Sequence, residues 1–344
     1  MKLRDIVLEQ LHHHETEVVP YSLKFDDEGV DLRLDAHFDS PAWRERLEPF
    51  FITCGQTNAR REEHVSDTHV RDAYGAVWRT DLRPWHLEET PLKVPSFEGY
   101  DFPTIETIAN PHLEETAKKM LHDYPDSFAL LELGMDSRVG GLWESCWMMR
   151  GFENAMMDCV AEVDFFEELL DRLMDLFLAQ VDLCKNIPAD GFFLFDDWGD
   201  QRGVMIGPER WRKFFKPRYA RIYEEIHAQG KYIISHCCGS PADLMPDIIE
   251  IGLDVLESVQ PEAKGMNPYN LKKKWGEKIS FWGGLGSQST IPWGTPAEIH
   301  AEVRKLRREM GKGGGYVLAP AKALQPETTI ENAIAVLDAL TNPN

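Results

Sequence analysis

Nowhere in the 344 residues is there an apolar stretch approaching the ~20 residues that a membrane-spanning helix needs. Residues 1–10 form an amphipathic helix pattern, without the apolar block and small-residue cleavage site of a secretory signal. Both absences predict a soluble, cytoplasmic protein with no membrane partner. Positive charge is scarce as well. Lys and Arg number 37 against 58 Asp and Glu, a formal net charge of −21. Such a surface repels nucleic acid and disfavours a polyanionic substrate unless a local basic pocket exists. Cysteine is sparse: Cys54, Cys146, Cys159, Cys184, Cys237 and Cys238, scattered except for the final pair. A disulfide framework does not fit a large chain without a secretory signal, so the pair reads as metal ligands, a reactive thiol or packing. Low-complexity tracts, internal repeats and long linkers are also missing.

What is present is an ordinary globular composition, 43% hydrophobic and 28% charged. Its second half repeats one theme, a short apolar run, a turn and a helical pattern. The runs lie at 128–133, 191–195, 232–235, 254–257, 279–282 and 316–319, and an earlier one at 18–23 opens the series. Near-continuous apolar runs of this length suit buried parallel strands. Helices are predicted from Pro208 to about Ala228, over 241–251, from Pro296 (capped by Thr295) to near Gly311, and over 327–340. No glycine-rich phosphate turn follows the first run, which disfavours a dinucleotide-binding sheet. The expected fold is α/β, a distorted (β/α)8 TIM-type barrel spanning 1–344 as one domain. Residues 40–110 fit the alternation poorly. They are expected to form an insertion or lid over the barrel mouth, with a hairpin near 73–80.

In such a barrel the polar residues at strand C-termini are the candidates for chemistry. Side-chain alternation sends His236 and Cys238 to one side and Cys237 to the other. Imidazole and thiolate at that spacing can share one ion, or can simply be a packed cysteine pair beside a hydrogen-bonded histidine. Glu257 ends the next run and reads as a third metal ligand, a general acid/base or a paired carboxylate. Asp196 and Asp197 follow another run, and only one of them should face the axis; Asp197 is taken as a catalytic candidate. Lys322 follows the last run, as an anion-binding, catalytic or charge-neutralising group. Tyr21, Lys24, Trp198, Gln260 and Gln288 are candidates for binding substrate, with Trp198 able to stack on a flat ligand.

These features resemble the uroporphyrinogen decarboxylase superfamily over roughly residues 120–340. The likeness rests on His236-Cys237-Cys238-Gly239, Glu257-Ser258-Val259-Gln260-Pro261-Glu262, the 279–285 stretch followed by Gln288, Gly294-Thr295-Pro296-Ala297-Glu298, and 313–320 with Glu331-Asn332. It implies a distorted (β/α)8 barrel, often dimeric, so a homodimer is an expected assembly. True decarboxylases carry an arginine-rich stretch for a substrate with many carboxylates. Here that region is Pro20-Tyr21-Ser22-Leu23-Lys24-Phe25, with a single cation. The other branch, the cobalamin-dependent methyltransferases, includes enzymes that demethylate methoxylated aromatics, and several hold zinc through a His-x-Cys pair. His236, Cys238 and Glu257 correspond to that metal site. The later cysteine of the branch falls near 321–322, where this chain has Ala321 and Lys322. The resemblance therefore implies a zinc-assisted methyltransferase working on a small molecule with a corrinoid carried by a separate protein. A decarboxylase-like lyase and a metal-free binding protein are the other readings.

Overall fold

The apolar runs become strands of a single parallel sheet. The structure is a computed structural model that describes residues 1–26, 29–56, 63–133 and 141–342. Gly140, which opens one of the glycine-rich stretches of the sequence, lies outside the described residues, as do 57–62 of the 40–110 segment. In chain order the strands are β1 (Phe51–Gln56), β2 (Glu63–Ser66), β3 (His69–Arg71), β4 (Val77–Arg79), β5 (His86–Glu89), β6 (Phe128–Leu133), β7 (Gly191–Phe195), β8 (Tyr232–His236), β9 (Val255–Val259), β10 (Ser280–Leu285) and β11 (Tyr316–Pro320). Seven of them pair in the order β1-β6-β7-β8-β9-β10-β11, all parallel, and this sheet curls into a distorted barrel. Every residue of β7, β10 and β11 is buried, as strands covered on both faces require.

Two elements differ from the sequence expectation. The run at 18–23 is not a regular strand. It runs beside β11 through isolated bridges, Tyr21 with Leu318 and Phe25 with Leu324. Pro20 within it has no N–H to donate, which helps to break the ladder. Conversely β1 lies inside the 40–110 stretch. Its Thr53, Cys54 and Gly55 interrupt the apolar signal that marks the other strands.

The rest of that stretch includes a separate antiparallel sheet, β2-β3-β4-β5. Asp72 builds the β3–β4 turn, accepting the amides of Tyr74 at 2.9 Å and Ala76 at 3.0 Å and the Trp78 indole N–H at 2.8 Å. Trp78 packs edge-on to Trp147 of the helix Leu142–Arg150. Proline shapes the helices. Pro217 falls in the first turn of Lys216–Ala228, and the predicted 208–228 helix is divided there from Pro208–Phe214. Thr295 caps the start of Pro296–Met310, as predicted, and Glu298 completes a reciprocal capping box. Among the described residues no helix is long and apolar enough to cross a membrane.

A buried ion pair fixes the helix Leu142–Arg150 against its surroundings. Arg150 donates to Asp158 at 2.6 Å and to the carbonyl of Leu92 at 2.6 Å, with both partners of the pair under 5% exposed. Removing the guanidinium leaves a carboxylate without its cation in an apolar site. Arg150→Met is therefore expected to cost about 3–5 kcal/mol of stability, measurable by urea unfolding.

Candidate functional site

Parallel register lines up Phe195, His236 and Glu257 as neighbours at the C-terminal ends of β7, β8 and β9. Residues in register on adjacent strands share a face, so all three crowd the barrel mouth. The Phe195 ring lies 5.4 Å from the imidazole. Glu257 Oε2 bonds Nδ1 of His236, which turns Nε2 outward. There Nε2 meets Cys238 Sγ at 3.1 Å and stands 3.7 Å from Asp197 Oδ1. One donor atom from each of Asp197, His236 and Cys238 lies within 4.8 Å of the others.

Asp197 reaches this point because the loops after β7 and β8 touch along their backbones. The Cys238 amide donates to Asp197 Oδ1 at 2.6 Å, and the Ser240 amide to the Asp200 carbonyl at 2.9 Å. Glycine permits the approach. A Cβ on Gly199 would lie 2.8 Å from backbone atoms of Ser240. One on Gly239, whose φ is +76°, would lie 2.6 Å from the Asp200 carbonyl oxygen.

Asp196 faces the other way, as alternation predicts. It is fully buried and accepts the amides of Trp143 at 3.0 Å and Glu144 at 2.9 Å, the Trp198 indole N–H at 2.9 Å and the Tyr219 hydroxyl. It thus caps the helix Leu142–Arg150 from a neighbouring strand. Burial outweighs these donors and pushes its carboxyl up to about 6.

The electrostatics of the cluster favour a bound cation. Burial, then Asp197 and Asp196, hold the Glu144 carboxyl well above the usual carboxylate range. Burial opposes charge on His236, but Glu257 and Cys238 outweigh it and raise the imidazole well above its ordinary value. Among the described residues no lysine or arginine pairs with Asp197, Glu144 or Glu257. One imidazole, one thiol and one carboxylate converge with no lysine or arginine pairing with them among the described residues, a donor set that suits zinc. The carboxylate behind the imidazole matches the usual support of a metal-binding histidine. Cys237 does not join them. It is buried, and burial followed by Asp197 raises its thiol.

The other sequence candidates divide by position. Lys24 and Lys322 line an apolar chamber of about 200 Å3 together with His236, Glu257, Phe193 and Trp282. Gln260, Gln288 and Lys322 line a polar cavity of about 380 Å3 with Asp197 and Cys238. Gln260 Oε1 accepts the Gly239 amide at 2.9 Å and so steadies the His236–Gly239 turn. Trp198 does not reach either cavity. It is 1% exposed and packs against Trp211 and Tyr219. Tyr21 is also remote from the cluster; its hydroxyl accepts the Glu48 amide at 3.0 Å. Glu257, read from sequence as a metal ligand, stands behind the imidazole, and Asp197, read as catalytic, supplies the third donor. Glu144 was missed. The signal for it is a lone acid in the mainly aromatic and apolar run 142–149. Asn332 serves structure, its buried carboxamide donating to the carbonyls of Ile291 and Gly294 at 2.8 Å each.

The fold and site define a parallel α/β barrel with a candidate metal centre at the C-terminal ends of its strands. More particularly, the uroporphyrinogen decarboxylase (URO-D) family matches residues 115–342, and the chain belongs to that family. The whole fold resembles the solved structure of a methyltransferase from Methanosarcina mazei, with a TM-score of 0.73 over 99% of this chain and 98% of that one, at 19% identity. A uroporphyrinogen decarboxylase of Coxiella burnetii (strain RSA 493 / Nine Mile phase I) is 23% identical over 253 residues, 69% of this chain and 66% of that protein. One from Pseudoalteromonas translucida (strain TAC 125) is 21% identical over 213 residues, 58% of this chain and 56% of that protein. The aligned regions thus span at most about two thirds of these curated relatives.

The loop contact can be tested directly. Gly199→Ala adds a methyl group against the Ser240 backbone and is expected to cost about 1–3 kcal/mol in thermal unfolding. By parting the loops it should also speed modification of Cys238, the one cysteine that is not buried, by Ellman's reagent.

Proposed function

We propose that this protein is a zinc-assisted methyltransferase that moves a methyl group between a small substrate, a methoxylated aromatic being the favoured type, and a separate corrinoid protein. The observation that carries the reading is the convergence of Asp197, His236 and Cys238, with Glu257 fixed on the far side of the imidazole. In this reading Asp197 supplies the donor that the chain lacks at Ala321 and Lys322. A zinc ion held there would act as a Lewis acid on the heteroatom carrying the methyl group, and the corrinoid would receive the methyl.

The chain's own residues have separable tasks. Glu257 keeps Nε2 of His236 directed at the cluster. Phe193, Phe195 and Trp282 give the adjoining chamber apolar walls fitted to a flat ring. Lys322, shared by the apolar and polar cavities, would give the departing oxygen the proton it gains when the carbon–oxygen bond breaks. The small sheet β2–β5 is read as part of a lid.

A second reading, a lyase acting on a tetrapyrrole or small carboxylic acid, draws on the curated relatives, which are named uroporphyrinogen decarboxylases. The chamber opposes the tetrapyrrole form of it. Its lining includes only two cations, Lys24 and Lys322, for a substrate with many carboxylates.

Metal analysis of freshly purified protein tests the proposal. About one equivalent of zinc is expected, lost in His236→Ala and Cys238→Ala. Asp197→Asn should weaken binding, and Glu257→Gln should lower affinity by about 10–100-fold through the imidazole it orients. Those variants should fail in parallel in a methyl-transfer assay with methoxybenzoates and reduced free cobalamin. Zinc content indifferent to His236→Ala would sink the metal reading.

A further inference from the structure

The barrel is not closed by backbone hydrogen bonds. Its sheet ends at β1 on one side and β11 on the other. The segment carrying Tyr21 to Phe25 fills the eighth position but bonds only toward β11. Ser22 donates to the Leu318 carbonyl at 3.0 Å, Leu318 to Pro20 at 2.9 Å and Leu324 to Lys24 at 2.9 Å. Among the described residues no backbone bond joins this segment to β1. The two are linked instead by the Glu48 amide donating to the Tyr21 hydroxyl, and by the Tyr21 and Phe50 rings 5.2 Å apart.

That seam is hollow. A cavity of about 520 Å3 runs from Arg44 and Leu47 at its outer rim to Phe193 and Trp282 in the barrel interior. Ser22, Lys24, Phe193 and Trp282 line it, and the same four residues line the apolar chamber whose opposite wall is His236 and Glu257. The two spaces therefore adjoin, with these four side chains at their boundary. Aromatic faces accompany the path: Phe51 and Trp282 lie 4.2 Å apart, Phe193 and Trp282 5.7 Å, and Phe193 and Phe195 4.6 Å. Lys24 stands at the junction with its Nζ 4.7 Å from the Phe193 ring centre.

The mouth offers a different environment. Its cavity is lined by Asp197, Cys238, Gln260 and Gln288, and it shares only Lys322 with the chamber. His236 and Cys238 thus stand between an apolar space reached from the side of the barrel and a polar space opening at its end. Burial of a flat apolar molecule favours the first, and polar or macromolecular partners suit the second.

We infer that a one-ring aromatic substrate enters sideways, through the seam between the Tyr21–Phe25 segment and β1, leaving the barrel mouth free for the second partner of the reaction. This rests on the aromatic-substrate reading above but requires neither zinc nor the corrinoid. With access divided in this way, a protein covering the mouth does not trap or exclude the small substrate. The two reactants then meet at the His236–Cys238 edge from opposite sides.

The test uses the full chain and 4-fluorophenol as probe, followed by fluorine NMR. Leu23→Trp and Leu47→Trp each fill the seam cavity, and Gln201→Trp narrows the mouth cavity. Retained thermal unfolding midpoints establish that each variant is folded, and two seam variants guard against failure of either. The probe is expected to bind the parent saturably. Its exchange between free and bound states should slow about ten-fold in the seam variants, with the dissociation constant changed less than about two-fold, and remain unaltered by Gln201→Trp. Slowing by the mouth variant alone, or no saturable binding, overturns the inference. Zinc analysis is a separate readout: its failure counts against the metal reading while leaving the exchange pattern interpretable.

Discussion

The register between β8 and its neighbours is the constraint on which the site depends. Pairing His236 with Phe195 on one side and Glu257 on the other leaves the imidazole little choice of orientation. A carboxylate on Nδ1 and an aromatic ring beside it commit Nε2 to the space where Cys238 and Asp197 converge. A slip of one residue in either ladder would turn His236 to the opposite face and dissolve the cluster. The hydrogen bonds that hold the barrel together are thus the same bonds that orient its chemistry.

Around that fixed point the protein concentrates negative charge. Asp197, Glu144 and Glu257 lie near one histidine and one thiol, with Asp196 behind them. Separate bonding makes the crowding tolerable. Asp196 is occupied with the amides at a helix start, and Glu257 with the imidazole. Asp197 is left facing Cys238, held by a single backbone amide. Partly buried carboxylates grouped beside an imidazole and a thiol favour a cation, which gives the metal reading its physical basis.

The division of the interior follows from the same architecture. Aromatic residues on β7 and β10 fill the barrel and give its chamber apolar walls, while glutamine and aspartate side chains on the loops make the mouth polar. A barrel completed by an irregular segment keeps a weak side. Among the described residues the other neighbouring strands of the main sheet are joined by parallel ladders, with register shifts between β1 and β6 and between β9 and β10.

Much of this was legible in the residues alone. Apolar runs marked six of the seven strands of the main sheet, because a strand buried on both faces must be apolar throughout. Alternation separated His236 and Cys238 from Cys237, and Asp196 from Asp197, because the pleat repeats every two residues. The Thr295 cap is local and legible in the sequence for that reason. The first strand, β1, escaped because Thr53, Cys54 and Gly55 dilute its apolar signal, and the 18–23 run misled because hydrophobicity does not reveal how many ladder bonds form. What the sequence by itself determined was the alternating α/β order and which side chains leave each strand on the same face. Only the tertiary structure decided that Asp197 rather than Glu257 meets the His-x-Cys pair, that Trp198 is buried, and that Glu144 joins the cluster. The first depends on the contact between two loops from different strands and the others on helices packed against the sheet, and the residues of one element do not encode the distance to another.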